Sequence, residues 1–485
     1  MNTVADFLNN SYRTNPDKIA IIDNDSELTY SELHKEVNNF SSFLNKFPKN
    51  SVVSLLFDNT NEFVISYLGT INSGCIAHLI PTGISQKNLI DQISSAKPKL
   101  VLASENHFSK IAEIESENIE KLRFSDVKKT SYQDRQPQPS DYAYLIYTSG
   151  TTSSPKGVPV THSNCVFTTT NIVRTLQYSQ NDVDVLPLPL SHSFGLGCLH
   201  TSFYVGSTLI IHKTTEIPQI LDSIKNHHAS TLAAIPSTLS KIVSNSFSDS
   251  SNILSNLRLI ITNSTFLPPE TTKKLKKILK NGKVATYYGL TEASRSTFLL
   301  FNNDITKIES VGKPAPNVEI KIITNNGNTS NEYEIGEVLI KGPNVIDEYW
   351  VDTVKEPKIK DGWLATGDLG FLDSDGYLYL KGRKDDIINV AGEKVSPIEI
   401  ELMIKQLDKI QDVGVIGVPD KTFGEIPVAF IVTEFNLKTN EILSHCIKTL
   451  ERYKIPQNFI FIDSVPKNES GKIERSALKE MYTKQ

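Results

Sequence analysis

Over roughly its first 290 residues the chain alternates between two hydrophobic periods. Mostly apolar runs at 51–56, 99–103, 142–147, 209–212, 231–235 and 257–261 have the length and composition of buried strands. Between them the period lengthens to that of amphipathic helices, at 218–227 and at 269–280, the second stopped by Gly282. Another helix opens within 28–33, with Ser31 as its expected cap. Strands alternating with helices predict parallel sheets covered on both faces, with ligands at the carboxyl ends of the strands. From about residue 300 apolar positions alternate with polar ones, and turns become rich in Asn, Asp and Gly, as at 325–328 and 373–376. This predicts a small β-subdomain ending near Gly382. After Arg383 the α/β rhythm returns, with helices expected at 397–406 and 440–451 and strands at 414–418 and 428–432. The expected fold is therefore α/β. A large N-terminal domain, 1–383, holds two βα-layered subdomains and the β-subdomain, and a small mobile α+β domain follows at 384–485.

Composition removes several function classes. The 485 residues are 39% hydrophobic and 22% charged, as in a globular protein with a sizeable core. A formal net charge of -5 without a Lys/Arg block argues against nucleic-acid binding. No apolar run reaches the roughly 18–20 residues of a membrane span, and the first residues lack the charged and apolar regions of a leader. Cys75, Cys165, Cys198 and Cys446 are scattered without metal-site spacing. A cytoplasmic protein without a zinc site is expected.

The densest chemistry lies at 147–157, Tyr-Thr-Ser-Gly-Thr-Thr-Ser-Ser-Pro-Lys-Gly, directly after an apolar strand. Small residues let backbone N–H groups turn inward around phosphate oxygens; the hydroxyls add donors and Lys156 a mobile charge. A Walker loop needs Gly before the lysine and Ser or Thr after it, whereas here Pro155 precedes and Gly157 follows. A flexible linker would need neither the strand nor the Pro-Lys-Gly exit. At 287–292, Tyr-Tyr-Gly-Leu-Thr-Glu joins an aromatic face for a base, a hydroxyl for a phosphate and a carboxylate for Mg²⁺, and is expected to enter a helix. Asp368 follows a glycine turn, Arg383 stands at the expected domain junction, and Lys472 lies on a tight turn near the C-terminus. Singly, each reads as a turn or a surface charge.

Together and in this order, these stretches resemble the adenylate-forming superfamily of acyl-CoA synthetases, luciferases and adenylation domains. Further matches are Pro-Leu-Pro-Leu-Ser-His-Ser-Phe-Gly at 187–195, Gly-Glu-Val-Leu-Ile-Lys-Gly at 336–342, the segment 392–401 and Tyr-Lys-Ile-Pro at 453–456. The resemblance implies two half-reactions. A carboxylate attacks the α-phosphate of ATP, giving acyl-adenylate and pyrophosphate; a thiol then takes the acyl group and releases AMP. It assigns Thr148, Ser149, Gly150, Thr151, Thr152 and Lys156 to the β- and γ-phosphates, Thr291 to the α-phosphate and Glu292 to Mg²⁺. Tyr288 would stack on adenine, with Gly289, Asn263 and Ser264 beside the nucleotide, and Asp368 and Arg383 on the ribose. Lys472 would bridge carboxylate and phosphate oxygens in the transition state, joining Thr291, Glu292 and His192 as the catalytic group. Asp385 matches the family's hinge, and Asn389 and Gly392 its thiol tunnel.

Three departures from the family pattern stand out. Ser153 replaces a glycine, Asn-Ser-Thr-Phe at 263–266 replaces Gly-Gly-Ala-Pro, and Asn389 stands where some relatives carry lysine. The acyl pocket is assigned by resemblance to His192, Phe194, Asn263 and Thr265. That stretch offers no carboxylate for a substrate ammonium, which disfavours amino acids and leads to a fatty, aromatic or other acid with an uncharged tail. The leading reading is an acid–thiol ligase using ATP, Mg²⁺ and CoA. Its rival loads the phosphopantetheine of an acyl carrier protein, and a third reading is a non-catalytic nucleotide- or acyl-binding homologue.

Overall fold

The computed structural model describes all residues except 24–25, 115, 117, 129–134, 149–155, 245–248, 264–266, 280, 302–305, 325, 351–358, 408, 434–436, 469–470 and 485. By packing, the chain divides into two units. One comprises 1–320 and 340–364, the other 321–339 and 365–485. This division cuts the chain at different points from the expected functional junction after Arg383.

The first unit holds two twisted sheets. In the six-stranded sheet the order is Glu120–Arg123, Leu100–Ala103, Val52–Leu56, Ile76–Ile80, Tyr142–Thr148, Lys156–Thr161. Its neighbours are parallel except the last pair. The nine-stranded sheet is parallel through its middle, from Lys283–Leu290 across Leu259–Thr262, Thr231–Ala233, Val183–Leu186 and Thr208–Ile211 to Ile19–Ile22. Antiparallel strands close both of its edges. Continuous apolar runs become strands buried on both faces, as in Val52–Leu56 and Ile76–Ile80.

Two helices have no solvent face. Asn61–Asn72 is buried at nearly every position, and Ser193–Val205 is apolar almost all round. Tyr67 from the first and His200 from the second meet at 2.6 Å, hydroxyl to Nε2. Burial, reinforced by the charge of Arg295, pushes His200 down to about 3, so a neutral ring can accept this bond. The helix expected within 28–33 runs Tyr30–Leu44. Its cap is Thr29 rather than Ser31, because Thr29 and Glu32 exchange the reciprocal bonds of a capping box.

In the second unit, residues 368–372 of the strand Trp363–Leu372 pair antiparallel with Leu378–Arg383. A five-stranded sheet follows, ordered Glu393–Val395, Ile388–Val390, Gly424–Thr433, Ile410–Asp420, with Asn458–Phe461 also on Gly424–Thr433. One apolar cluster gathers Ile388, Ile400, Val415, Ile431 and Ile442; another gathers Ile416, Val428, Phe430 and Leu478. Strand 410–420 contributes alternate residues to the two clusters, as a period of two requires. Among the described residues no helix is long and apolar enough to cross a membrane.

Candidate active site

The strand Tyr142–Thr148 lies inside the six-stranded sheet, and the chain returns beside it as Lys156–Thr161. Thr148 and Lys156 are register partners. The strands on either side of the Ser/Thr-rich stretch are therefore paired antiparallel up to Thr148 and Lys156. Ser149, Gly150, Thr151 and Thr152 lie outside the described residues. Gly157 is dictated by packing: a Cβ there would come within 2.9 Å of the Trp350 side chain. The Trp350 amide also donates to the Gly157 carbonyl at 3.0 Å.

The segment 287–292 enters no helix. Lys283–Leu290 and Ala293–Phe301 form an antiparallel hairpin in which Leu290 pairs with Ala293, leaving Thr291 and Glu292 as its turn. Thr297, Phe298 and Phe301 favour extended backbone, and pairing with 284–290 makes the return a strand instead of the expected helix. Thr291 and Glu292 are consequently presented side by side at the end of a parallel core strand. Gly289 permits the tight return, since a Cβ would lie 2.5 Å from the Arg295 amide nitrogen. Tyr288 is buried in the ladder, where its amide donates to Thr297 Oγ1 at 3.2 Å. Glu292 accepts a hydrogen bond from the Tyr349 hydroxyl at Oε1, 3.1 Å, and its carbonyl accepts from the Ile346 amide at 3.0 Å.

His192 takes the N-cap position of Ser193–Val205 and is half-buried. Phe194 is buried and meets Tyr287 edge-on, ring centres 5.4 Å apart. Asn263 follows the strand Leu259–Thr262; Ser264 and Thr265 lie outside the described residues.

In the second unit, Asp368 and Arg383 are cross-strand partners. Arg383 Nε stands 3.9 Å from Asp368 Oδ1, and the Asp368 amide is tied to Thr366 Oγ1 at 3.0 Å. Gly367, with φ +75°, supplies the turn in backbone direction before the carboxylate. Asp385 is exposed on the single turn Lys384–Asp386. Asn389 is exposed, and its amide donates to Glu425 Oε2 at 2.8 Å. Ala391 (φ 52°) and Gly392 (φ 93°) form the tip of the hairpin joining 388–390 to 393–395, a turn with two left-handed residues. Lys472 lies exposed on the loop 468–472, closed by its amide to Asn468 Oδ1 at 3.0 Å and by the Asn468 amide to its carbonyl at 2.9 Å.

The profile of the AMP-binding enzyme family matches residues 8–350, and that of the AMP-binding enzyme C-terminal domain matches 399–472. The chain belongs to the AMP-binding enzyme family. Within that family it is an AMP-forming acid–thiol ligase, in the acyl-CoA synthetase branch. It is 30% identical to the 2-succinylbenzoate–CoA ligase of Bacillus velezensis over 476 residues, covering 96% of each chain. The o-succinylbenzoate CoA synthetase of Bacillus subtilis, solved with the acyl-adenylate intermediate, matches with a TM-score of 0.88 and 29% identity, over 98% of this chain and 97% of that one. An anthranilate CoA ligase in complex with anthranoyl-AMP matches with a TM-score of 0.91 and 27% identity, over 99% and 97%.

Sequence reasoning missed two residues beside this candidate site. Tyr349 reaches Glu292 from 57 residues away, and only the fold reveals it. Arg295 follows the family's Gly-Leu-Thr-Glu stretch closely, yet its burial could not be read from the chain. The donor set also bears on a metal. Among the described residues no cluster of at least three His, Cys, Asp or Glu side chains could hold one. The single carboxylate of Glu292 is compatible with Mg²⁺ carried in on a nucleotide, which needs only one or two protein carboxylates because phosphates and water complete its octahedron.

Proposed function

We propose that this ligase joins 2-succinylbenzoate, or an aromatic keto acid of similar build, to coenzyme A. The observation that carries the reading is likeness to 2-succinylbenzoate–CoA ligases along nearly the whole length of both chains. Such an acid bears a second carboxylate, so this reading replaces the expected uncharged tail with an anionic one. A cytoplasmic reaction is part of the same proposal.

In the first half-reaction a carboxylate oxygen bonds to the α-phosphorus while the bond to pyrophosphate breaks. Little proton transfer is required, so the protein's contribution is positioning and neutralisation of charge. Lys156, with Thr148 and the loop it closes, would hold the β- and γ-phosphates. Thr291 would donate to the α-phosphate from the hairpin turn, and Glu292, oriented by Tyr349, would supply carboxylate oxygen to Mg²⁺. His192 would lie near the acid's carboxylate, with Phe194 and Asn263 lining the pocket. Tyr288 and Gly289 would border adenine, and Asp368 with Arg383 would take the ribose hydroxyls. Lys472 would meet charge that develops only during adenylation. In the second half-reaction the thiol attacks the acyl carbonyl and AMP leaves. Rearrangement of the 384–485 domain about Asp385 would serve that step, with Asn389 and Gly392 beside the pantetheine arm.

The test is a carboxylate panel with ATP and Mg²⁺, following pyrophosphate with and without CoA and identifying the thioester by mass. 2-Succinylbenzoate should show the highest kcat/KM, with CoA consumed. Turnover of another acid with none of 2-succinylbenzoate would overturn the substrate reading; thioester on a carrier protein but none on CoA would overturn the acceptor.

A further inference from the structure

We propose that Arg295 is the receptor for a second carboxylate at the far end of the acid substrate. Arg295 is 5% exposed, yet no carboxylate pairs with it among the described residues. Arg475, whose side chain is also largely covered, does have such a partner: its Nη2 lies 2.7 Å from Glu401. Arg295 makes only neutral contacts. Nη1 donates to the Ser193 carbonyl at 2.9 Å and to Ser294 Oγ at 2.8 Å, and Nη2 donates to the Phe194 carbonyl at 3.0 Å. The guanidinium also lies 4.9 Å from the centre of the Tyr287 ring. A guanidinium has five N–H donors in a fork suited to carboxylate, so donors remain after these three bonds.

The surroundings are built around that cation. Gly197, inside the buried helix Ser193–Val205, makes room for it: a Cβ there would lie 2.2 Å from Nη2. Arg295 itself holds a left-handed backbone, φ 52°, unusual for a residue other than glycine. His200, beside it on a shared cavity, stays neutral because of burial and then the Arg295 charge, so the site carries one net positive charge. The cavity is lined by Tyr144, Asn164, Ser193, His200, Ser294 and Arg295, and also reaches Thr291 of the adenylating turn. Its volume, ≈ 20 Å³, leaves room for about one water. A carboxylate reaching Arg295 would gain charge-assisted hydrogen bonds and neutralise a buried cation that is otherwise costly. An acid activated beside the 291–292 turn would then direct a second carboxylate toward Arg295. A substrate ammonium would be repelled from the same place.

The inference takes its first probe from the proposed substrate reading, and the experiment separates the two. Pyrophosphate release is measured for the unaltered enzyme and for Arg295→Lys and Arg295→Gln. The acids are 2-succinylbenzoate, its analogue without the ring carboxylate (4-oxo-4-phenylbutanoate), and further pairs of diacids and matching monoacids. The unaltered enzyme should prefer the diacid by tenfold or more in kcat/KM, mainly through KM, and both variants should lose most of that preference. Equal use of diacid and monoacid by the unaltered enzyme overturns the inference even if neither variant folds. So does a preference that survives in variants with native circular dichroism. A preference for a different diacid that disappears in the variants overturns the 2-succinylbenzoate reading and upholds the role of Arg295.

Discussion

Tyr349 and Glu292, distant in sequence, meet through a hydrogen bond of 3.1 Å from phenol to carboxylate. The turn geometry of the 283–301 hairpin presents Glu292, while Tyr349 limits where its carboxylate can point. Hydrogen bonds to charged groups are worth about 1.5–3 kcal/mol. Tyr349→Phe should therefore lower the adenylation rate by about tenfold and raise the Mg²⁺ concentration needed for half-maximal rate, with little change in melting temperature. A Mg²⁺ titration of pyrophosphate release checks this; an unshifted midpoint would separate Glu292 from the metal.

Lys472 sits on an exposed loop held by its own backbone bonds to Asn468, so truncating its side chain leaves the loop's closure intact. Lys472→Ala should reduce acyl-adenylate formation by about 10²–10³, the scale of a lost transition-state donor. Thioester formation from supplied acyl-adenylate should largely survive. Equal losses in both half-reactions would show that the lysine serves something other than adenylation.

Two of the three positions assigned to the second half-reaction, Asp385 and Gly392, can be probed through the backbone. Asp385→Pro fixes φ near about −65° and should spare adenylation while blocking thioester synthesis. Gly392→Ala meets no neighbouring atom within 4 Å, so its stability cost is backbone strain alone, about 1–2 kcal/mol. A fall in thioester formation well beyond any fall in adenylation would mark Gly392 as a point of thiol approach. Single-turnover measurements of each half-reaction distinguish these outcomes.

Acid sensitivity should be built into the first unit. His162 is buried, and its Nδ1 accepts the Val4 amide at 3.2 Å, a bond that requires that nitrogen unprotonated. Burial lowers its pKa from the usual 6.5 to about 4, only partly opposed by Asp141 and Asp6. Above pH 6.5 the folded and unfolded chains are both neutral there, and nothing is gained or lost. Between 6.5 and about 4 only the unfolded chain takes the proton, so stability falls on acidification through that window. His200 acts in the same sense down to about 3. Each contributes a slope approaching about 1.4 kcal/mol per pH unit. His162→Gln should flatten the decline in melting temperature between pH 6.5 and 4; an unchanged slope would remove His162 from its cause.

Much of this protein is local and could be read directly. The continuous apolar runs became core strands within one or two residues, from Val52–Leu56 to Leu259–Thr262, because burial on both faces leaves no alternative period. The strand Tyr142–Thr148, which leads into the Ser/Thr-rich stretch, was likewise legible as a core strand from its apolar run. Asp368 and Arg383 were both legible as candidates, but only strand register makes them partners.

Tertiary structure decided what depends on distant chain segments. The Thr-Glu of 291–292 lies in a hairpin turn because pairing of Lys283–Leu290 with Ala293–Phe301 overrides local helix bias. The cap at Thr29 rather than Ser31 was settled by which hydroxyl lies one capping box from Glu32. Tyr349 reaches Glu292, and Arg295 loses water, only once the hairpin has packed against the helix Ser193–Val205. A single residue's chemistry is written in the chain, but its solvation and its partners arise from contacts between segments that are far apart along it.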